Sequence, residues 1–86
     1  MVNYSEPFDN YIIRLNYEGQ LLKYKLRKYF SDQDFVFYHL FTKYRVIDLC
    51  WHKESKTLSE NLLPGQPGLP DSFLLALQKE VANIQA

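Results

Sequence analysis

Apolar and polar residues alternate between residues 10 and 29, and this alternation predicts a β-hairpin. A tight turn at Glu18 and Gly19, with Gly19 at a positive φ, gathers the apolar residues on one face. The apolar pairs across the hairpin are then Leu15 with Leu22, Ile13 with Tyr24, and Tyr11 with Leu26. The pairs on the opposite face are Arg14 with Lys23, Ile12 with Lys25, and Asn10 with Arg27. A slip of one residue would mix the two faces, so the sorting favours this register.

A helix over residues 20–30 is the competing interpretation of the second half of this stretch. Leu22, Leu26, Tyr29 and Phe30 have helical spacing. The SDQD sequence at residues 31–34 is predicted to be a turn, or else a capping box for a helix that begins near Asp32. We favour the hairpin because it places every apolar pair on the same face.

Two further runs have the composition of strands. Residues 35–41 (FVFYHLF) are mostly aromatic or β-branched, and residues 45–53 form the central strand. The register between them is open. An even loop places Tyr38 opposite Ile47, whereas an odd loop places Phe37 opposite Leu49. Both arrangements leave apolar residues on each face of the sheet.

The clearest helical pattern covers residues 70–85. Pro70 suits the first helical position, and Asp71 complements the positive end of the helix dipole. One apolar stripe runs along the helix and is expected to pack across the central strand; it consists of Phe73, Leu74, Leu77, Val81 and Ile84. The preceding residues, 54–69, are rich in proline and glycine and are predicted to form a loop, with a helical turn near residues 58–63 as an option.

These elements predict a single α+β domain over residues 1–86. Its fold is a four-stranded antiparallel β-meander covered on one face by the C-terminal helix, with a long loop between sheet and helix. Residues 1–9 are predicted to be a loose N-terminal arm, residues 10–53 the sheet, residues 54–69 the loop and residues 70–85 the helix. A chain of 86 residues buries about one sheet face under one helix.

Composition adds an excess of aromatic residues to this picture. They make up 16% of the chain, and aromatic residues are enriched both in strands and at interfaces. The formal net charge is zero, which by itself does not indicate a nucleic-acid-binding protein. The one cysteine excludes an internal disulfide, and no apolar run is long enough to span a membrane. We therefore expect a cytoplasmic protein that does not associate with membranes.

Asp48, Cys50 and His52 share one face of the central strand, with neighbouring Cα atoms about 6.6 Å apart. His39 would join them in the even register. These residue types ligate zinc, and a cysteine beside a histidine is also the pattern of an activated nucleophile. No metal-binding spacing is matched, however, and mixed residues are ordinary on the less buried face of an antiparallel sheet. We therefore expect no metal, no cofactor and no catalytic residue.

Four cations predict a basic face on the first hairpin, and Lys28 lies close to them in the sequence; these are Arg14, Lys23, Lys25 and Arg27. Such a face can bind phosphates or an acidic partner, whereas lysines also protect sheet surfaces against aggregation. Sheets that bind RNA carry aromatic residues among the cations. Because Tyr11 and Tyr24 are predicted on the core face, nucleic-acid binding is the second interpretation.

The first interpretation is a non-catalytic protein-interaction domain that associates with a second copy or with another protein. One helix covers one face of a small sheet, so apolar residues between Val36 and Val46 must lie on the other face. The predicted partner-binding residues are Phe35, Val36, Phe37, Tyr38, Phe41 and Val46. The arm or the loop could instead cover this face, with Phe8, Leu58, Leu62 and Leu63 as candidates. A metal- or thiol-dependent enzyme is the third interpretation.

Overall fold

The computed structural model describes residues 9–85, which form a five-stranded antiparallel sheet and one helix. Each strand pairs with its neighbours in sequence, in the order β1-β2-β3-β4-β5. The elements are β1 (Asp9–Tyr17), β2 (Gln20–Ser31), β3 (Phe35–Phe41), β4 (Val46–His52), β5 (Thr57–Glu60) and α1 (Asp71–Gln85). The α+β class is confirmed, and the number of strands is corrected from four to five. The predicted arm, with Phe8, falls outside the described residues except for Asp9, which begins β1.

The predicted register of the first hairpin is confirmed. Leu15 pairs with Leu22 and Arg14 pairs with Lys23, so the alternation assigns the apolar and basic residues to opposite faces. The turn consists of Glu18 and Gly19, which both have positive φ values of 51° and 76°. Two such residues in succession form the tight turn that matches the twist of a hairpin. The alternative helix over residues 20–30 is excluded because β2 occupies this segment.

The β3–β4 hairpin has an even loop, residues 42–45. Its cross-strand pairs differ by two residues from the pairs predicted for an even loop. Tyr38 lies opposite Leu49 rather than Ile47. Thr42 fixes the turn: its Oγ1 accepts hydrogen bonds from the backbone N–H groups of Tyr44 and Arg45 and donates one to the carbonyl of Arg45. The loop length determines which β3 side chains face the helix.

Two of the residues predicted to bind a partner therefore point into the core instead of away from it. Val36 and Tyr38 lie on the core face and are 2% and 0% exposed. Adjacent strand residues point to opposite faces, so the register that exposes Phe37 necessarily buries its two neighbours.

β5 lies within the segment predicted to be a loop. Leu58 is buried opposite Trp51, and its backbone N–H donates a hydrogen bond to Oε1 of Gln78 on α1 at 2.9 Å. Glu60 likewise accepts a hydrogen bond from the backbone N–H of Leu69 at 2.7 Å, which holds the following loop against the strand. Contacts with β4 and with the helix thus stabilise a strand that is only four residues long.

α1 closes the core by packing against both the first and the last strand. Phe73, Leu77 and Val81 are its buried residues, in agreement with the predicted stripe. At one end the Tyr17 hydroxyl bonds to Oγ of Ser72, and at the other Gln85 donates to the Tyr38 hydroxyl. The core lies entirely between the helix and one face of the sheet.

Candidate functional site

The face of the sheet that points away from α1, called the outer face below, carries most of the residues singled out in the sequence. Its side chains follow from the strand registers. They include Ile12 and Arg14 of β1; Lys23, Lys25, Arg27, Tyr29 and Phe30 of β2; Phe35, Phe37, His39 and Phe41 of β3; and Val46, Asp48, Cys50 and His52 of β4. No described part of the chain forms a layer over this face comparable to the helix on the core face.

An irregularity in β2 places two consecutive aromatic residues on the outer face. Lys28 pairs with Tyr38 and Phe30 pairs with Phe37, so Tyr29 is an extra residue between two aligned pairs. A β-bulge of this kind interrupts the alternation of side chains and redirects them. The Tyr29 ring stacks on the His39 ring, with the two ring centroids 4.0 Å apart and an interplanar angle of 19°. Sequence reasoning missed this arrangement because a bulge leaves no periodic signal in one strand.

The rings of Phe30, Phe35 and Phe37 extend this pair into a cluster. The Phe37 centroid lies 5.7 Å from that of Phe30 and 6.1 Å from that of Phe35. Phe30 is 52% exposed, whereas Phe35 and Phe37 are half-buried by their neighbours. We call Tyr29, Phe30, Phe35, Phe37 and His39 the aromatic cluster. It presents ring edges and faces on which a flat or apolar group can pack.

The four predicted basic residues all lie on the outer face, and Arg27 lies opposite His39 of the aromatic cluster. Lys25 Nζ lies 5.6 Å and Arg27 Cζ 5.1 Å from the centroid of Phe41, which are cation–π distances. Arg14 and Lys23 form the next pair along the hairpin and are exposed. Cations and aromatic rings therefore share one surface. Nucleic-acid binding was ranked second because the aromatic residues were expected on the core face. This expectation holds for Tyr11 and Tyr24, but the rings of Tyr29, Phe30, Phe35, Phe37 and Phe41 lie on the outer face.

The predicted partner-binding residues are divided between the two faces. Phe35, Phe37, Phe41 and Val46 lie on the outer face, and Val46 is 53% exposed. Val36 and Tyr38 lie in the core, as described above. Of the residues proposed to cover the outer face, Leu58 is buried in the core, and Leu62 and Leu63 are exposed in the loop.

Asp48 and His52 each bond to a neighbouring side chain on the outer face. Asp48 Oδ1 accepts a hydrogen bond from the Tyr29 hydroxyl at 2.7 Å, and His52 Nε2 lies 2.9 Å from Oγ of Ser59. Partial burial, followed by the bond to Asp48 and its negative charge, raises the pKa of Tyr29 to about 12. Each of these contacts fixes the orientation of the two side chains that make it.

Cys50 is buried between the strands of this face and is a free thiol. Burial raises the pKa of the thiol, and the negative charges of Asp32 and Asp48 raise it further. Reactive cysteines have lowered pKa values, so this environment works against a thiolate nucleophile. Within residues 9–85, no three His, Cys, Asp or Glu side chains are grouped so that they could hold a metal ion.

A groove lies between the start of β4 and the loop after β5. It is lined by Val46, Asp48, Leu62 and Leu63 among others, with the ion pair between Arg45 and Glu60 at its side. Glu60 also accepts the backbone bond from Leu69, so its carboxylate is already engaged. The outer face offers more unburied aromatic surface and more positive charge than this groove.

The chain shows no match to any protein-family model, curated protein or solved structure with which it was compared. In the segment from residue 9 to residue 85, no helix has both the length and the apolar character needed to cross a membrane.

Proposed function

We propose that this protein is a non-catalytic interaction domain that docks another macromolecule on the outer face of its sheet. The observation that carries the proposal is the difference in cover between the two faces. α1 buries the core face, whereas Ile12, Phe30 and Val46 are each more than half exposed on the outer face. The half-buried rings of Phe37 and Phe41 lie beside them on β3. Apolar groups gathered on one exposed surface in this way are typical of an interaction site.

The chemistry of the same face supports a binding role rather than catalysis. The carboxylate of Asp48 and the imidazole of His52 already have hydrogen-bond partners, and the Cys50 thiol is buried with a raised pKa. General acid–base or nucleophilic catalysis needs such groups within reach of a substrate and with matched pKa values. A free, buried thiol also fits a reducing compartment, and a cytoplasmic location is part of the proposal.

A second copy of the chain is the partner predicted from the sequence, in a two-fold symmetric dimer. The aromatic cluster supports this form of the proposal because aromatic residues are enriched at interfaces. The cations oppose dimerisation, however, because a face-to-face dimer brings Arg14, Lys23 and Lys25 of both copies into one interface, where like charges repel. Light scattering distinguishes the cases: a monomer has a mass of 10.3 kDa, and a dimer has twice that mass.

A negatively charged partner is the second candidate, and one observation favours it. Lys25 and Arg27 lie beside the ring of Phe41, so positive charge and aromatic surface occur together. A polyanion meets the cations without the repulsion that a second copy would introduce.

The general proposal can be tested by photo-crosslinking in cells. A photoreactive phenylalanine analogue is placed at Phe30 in one variant and at Leu75 in the other. The two residues are similarly exposed, at 52% and 57%, but Leu75 lies on α1. We expect adducts from position 30 and none from position 75. Equal adducts from both positions, or none from position 30, would contradict docking on the outer face.

A further inference from the structure

We infer that the partner of the outer face is a single-stranded nucleic acid, which binds its phosphates to the hairpin cations and stacks its bases on the aromatic cluster. This inference rests on the proposed function, because it names the partner of the same surface. Three properties of the surface carry it: its net charge, its flat aromatic groups and the order in which the two follow one another along the strands.

The first property is an imbalance of charge. The outer face carries four cations (Arg14, Lys23, Lys25 and Arg27) although the whole chain has a formal net charge of zero. Asp48 is the one carboxylate that the five described strands place on this face, and it accepts the hydrogen bond of the Tyr29 hydroxyl. The carboxylates of the adjoining turns, Asp32, Asp34 and Glu54, lie near Cys50, Phe35 and His52 at the aromatic end of the face. The fold has thus separated charges that cancel in the composition. Such a surface attracts polyanions.

The second property is the aromatic surface beside these charges. Phe30 is more than half exposed, and Phe35 and Phe37 are partly exposed beside it. Nucleobases stack on such rings, and each stacked base strengthens binding by about 5- to 150-fold as judged from alanine substitution. An acidic peptide or inorganic polyphosphate has the charge but lacks the array of flat rings. A duplex keeps its bases stacked on one another and cannot offer them to the sheet.

The third property is the order of the groups along the strands. Successive cross-strand pairs on the outer face are Arg14 with Lys23, Lys25 with Phe41, Arg27 with His39, and Phe30 with Phe37. Because side chains on one face repeat about every 6.6 Å, the distance from the first pair to the last is roughly 20 Å. The surface is therefore basic at one end and aromatic at the other, with both kinds of group in the middle. A strand of a few nucleotides can contact both ends.

A second copy and an acidic peptide fit this surface less well. A second copy would bring its own four cations into the same interface, and the strands of the outer face supply one engaged carboxylate per chain to compensate for them. An acidic peptide would neutralise the cations but leave the rings of Phe30 and Phe37 without a flat partner. Single-stranded nucleic acid uses both kinds of group, as do sheets that bind RNA through stacking aromatic residues.

Binding can be measured by fluorescence anisotropy with labelled oligo(dT) and oligo(U) of about 12 nucleotides, within the site sizes of single-strand binders. The competitors are a duplex of equal length, poly-glutamate and inorganic polyphosphate. We expect either single strand to bind and the competitors to displace it weakly. If four phosphates are neutralised, the logarithm of affinity should fall with the logarithm of salt concentration with a slope of about −3, since each contact contributes about −0.7.

Two sets of variants separate the charges from the rings. Lys23→Gln and Lys25→Gln should each reduce the magnitude of the salt slope by about 0.7. Phe30→Ala and Phe37→Leu should each weaken binding about tenfold, which corresponds to the loss of part of one stacking contact, and leave the slope unchanged. Phe30→Ala changes an exposed side chain, so it tests stacking even if Phe37→Leu disturbs the fold. Lys79→Gln, on the exposed side of α1, is the matched control and should change neither quantity.

The alternative outcomes are distinct. If polyphosphate displaces the strand as well as a second oligonucleotide does, or if Phe30→Ala has no effect, the stacking inference is overturned. If poly-glutamate binds more tightly than the oligonucleotides, the partner is an acidic protein. If no oligonucleotide binds and Phe30→Ala dissociates a dimer, the partner is a second copy of the chain. Both results overturn the inference while docking on the outer face stands. Docking itself fails when position 30 gives no crosslinks.

Discussion

The two faces of the sheet are built from alternate residues of the same strands, yet they are stabilised in different ways. On the core face, Leu26, Leu40 and Leu49 are fully buried in the core that the sheet forms with the helix. On the outer face, side chains contact their neighbours within the face, as in the stack of Tyr29 on His39. The lateral contacts show that the outer face is ordered without a second helical layer. A face ordered in this way is fixed in shape but open to a partner.

The comparison also explains why the two faces should respond differently to substitution. Removing a core side chain leaves a cavity that the helix and the sheet cannot fill. Removing a side chain from the outer face breaks one or two lateral contacts and exposes little new surface. We therefore expect the core face to determine stability and the outer face to determine binding.

The largest effect is expected from Leu77→Ala. Leu77 is fully buried between α1 and the sheet, so its truncation should lower the free energy of unfolding by about 2–5 kcal/mol. Leu75→Ala on the exposed side of the same helix is the control, and it should change stability by less than about 0.5 kcal/mol. Urea denaturation measures both. Equal losses would mean that the helix does not bury this stripe.

A smaller effect is expected from Tyr29→Phe. This substitution keeps the stacked ring but removes the hydrogen bond to Asp48, so it should destabilise the protein by about 1 kcal/mol. Tyr44→Phe, at an 87% exposed residue, is the matched control and should be neutral. A loss well above this value would show that the outer face contributes to stability as the core face does.

The same residue predicts a dependence on pH. The pKa of Tyr29 is raised from 10.0 to about 12, so the folded state favours the neutral phenol. Its stabilising contribution is fully present below pH 10 and is lost as the pH rises through about 12. Denaturation at several alkaline pH values should therefore show the difference between the wild type and Tyr29→Phe shrinking over this range. A difference that stays constant would exclude the link to ionisation.

The smallest effect concerns the turn that sets the register, and thereby assigns each residue to its face. Glu18 has a φ of 51°, a conformation that asparagine adopts more readily in a two-residue hairpin turn. Glu18→Asn should raise the free energy of unfolding by about 0.5 kcal/mol. Gly19→Ala, at a φ of 76°, should act in the opposite direction. Thermal denaturation followed by circular dichroism measures both changes, and a loss of stability in Glu18→Asn would contradict this account of the turn.

The sequence was most informative where one local signal determined the structure. The Glu18-Gly19 turn and the alternation around it were sufficient to predict the six pairs from Asn10 with Arg27 to Leu15 with Leu22. The spacing of Phe73, Leu77 and Val81 was sufficient to predict the helix. β5 was missed because Leu58 is its one apolar residue. The strand forms through pairing with β4 and through the hydrogen bond that the Leu58 N–H donates to Gln78, and neither is visible in the local sequence.

The candidate site was less predictable than the fold. All four cations were assigned to the correct face because they belong to the first hairpin. The aromatic cluster was not recognised, since it depends on the length of the turn at Thr42 and on the bulge at Tyr29. The local sequence is compatible with several loop lengths and several bulge positions. The packing of the whole sheet selects one of each, and that selection decides which rings are buried.

The helix that packs on both β1 and β5 also constrains when the chain can fold. Its contacts with β1 join distant parts of the sequence, such as Tyr17 and Ser72, which are 55 positions apart. During synthesis the strands leave the ribosome before the helix does, so the apolar core face has no cover until residues 71–85 emerge. Folds that depend on such distant contacts form slowly, and their exposed intermediates are prone to aggregate. The nascent sheet therefore depends on its last described element, and a chain interrupted before residue 71 would present its core face to the surrounding solution.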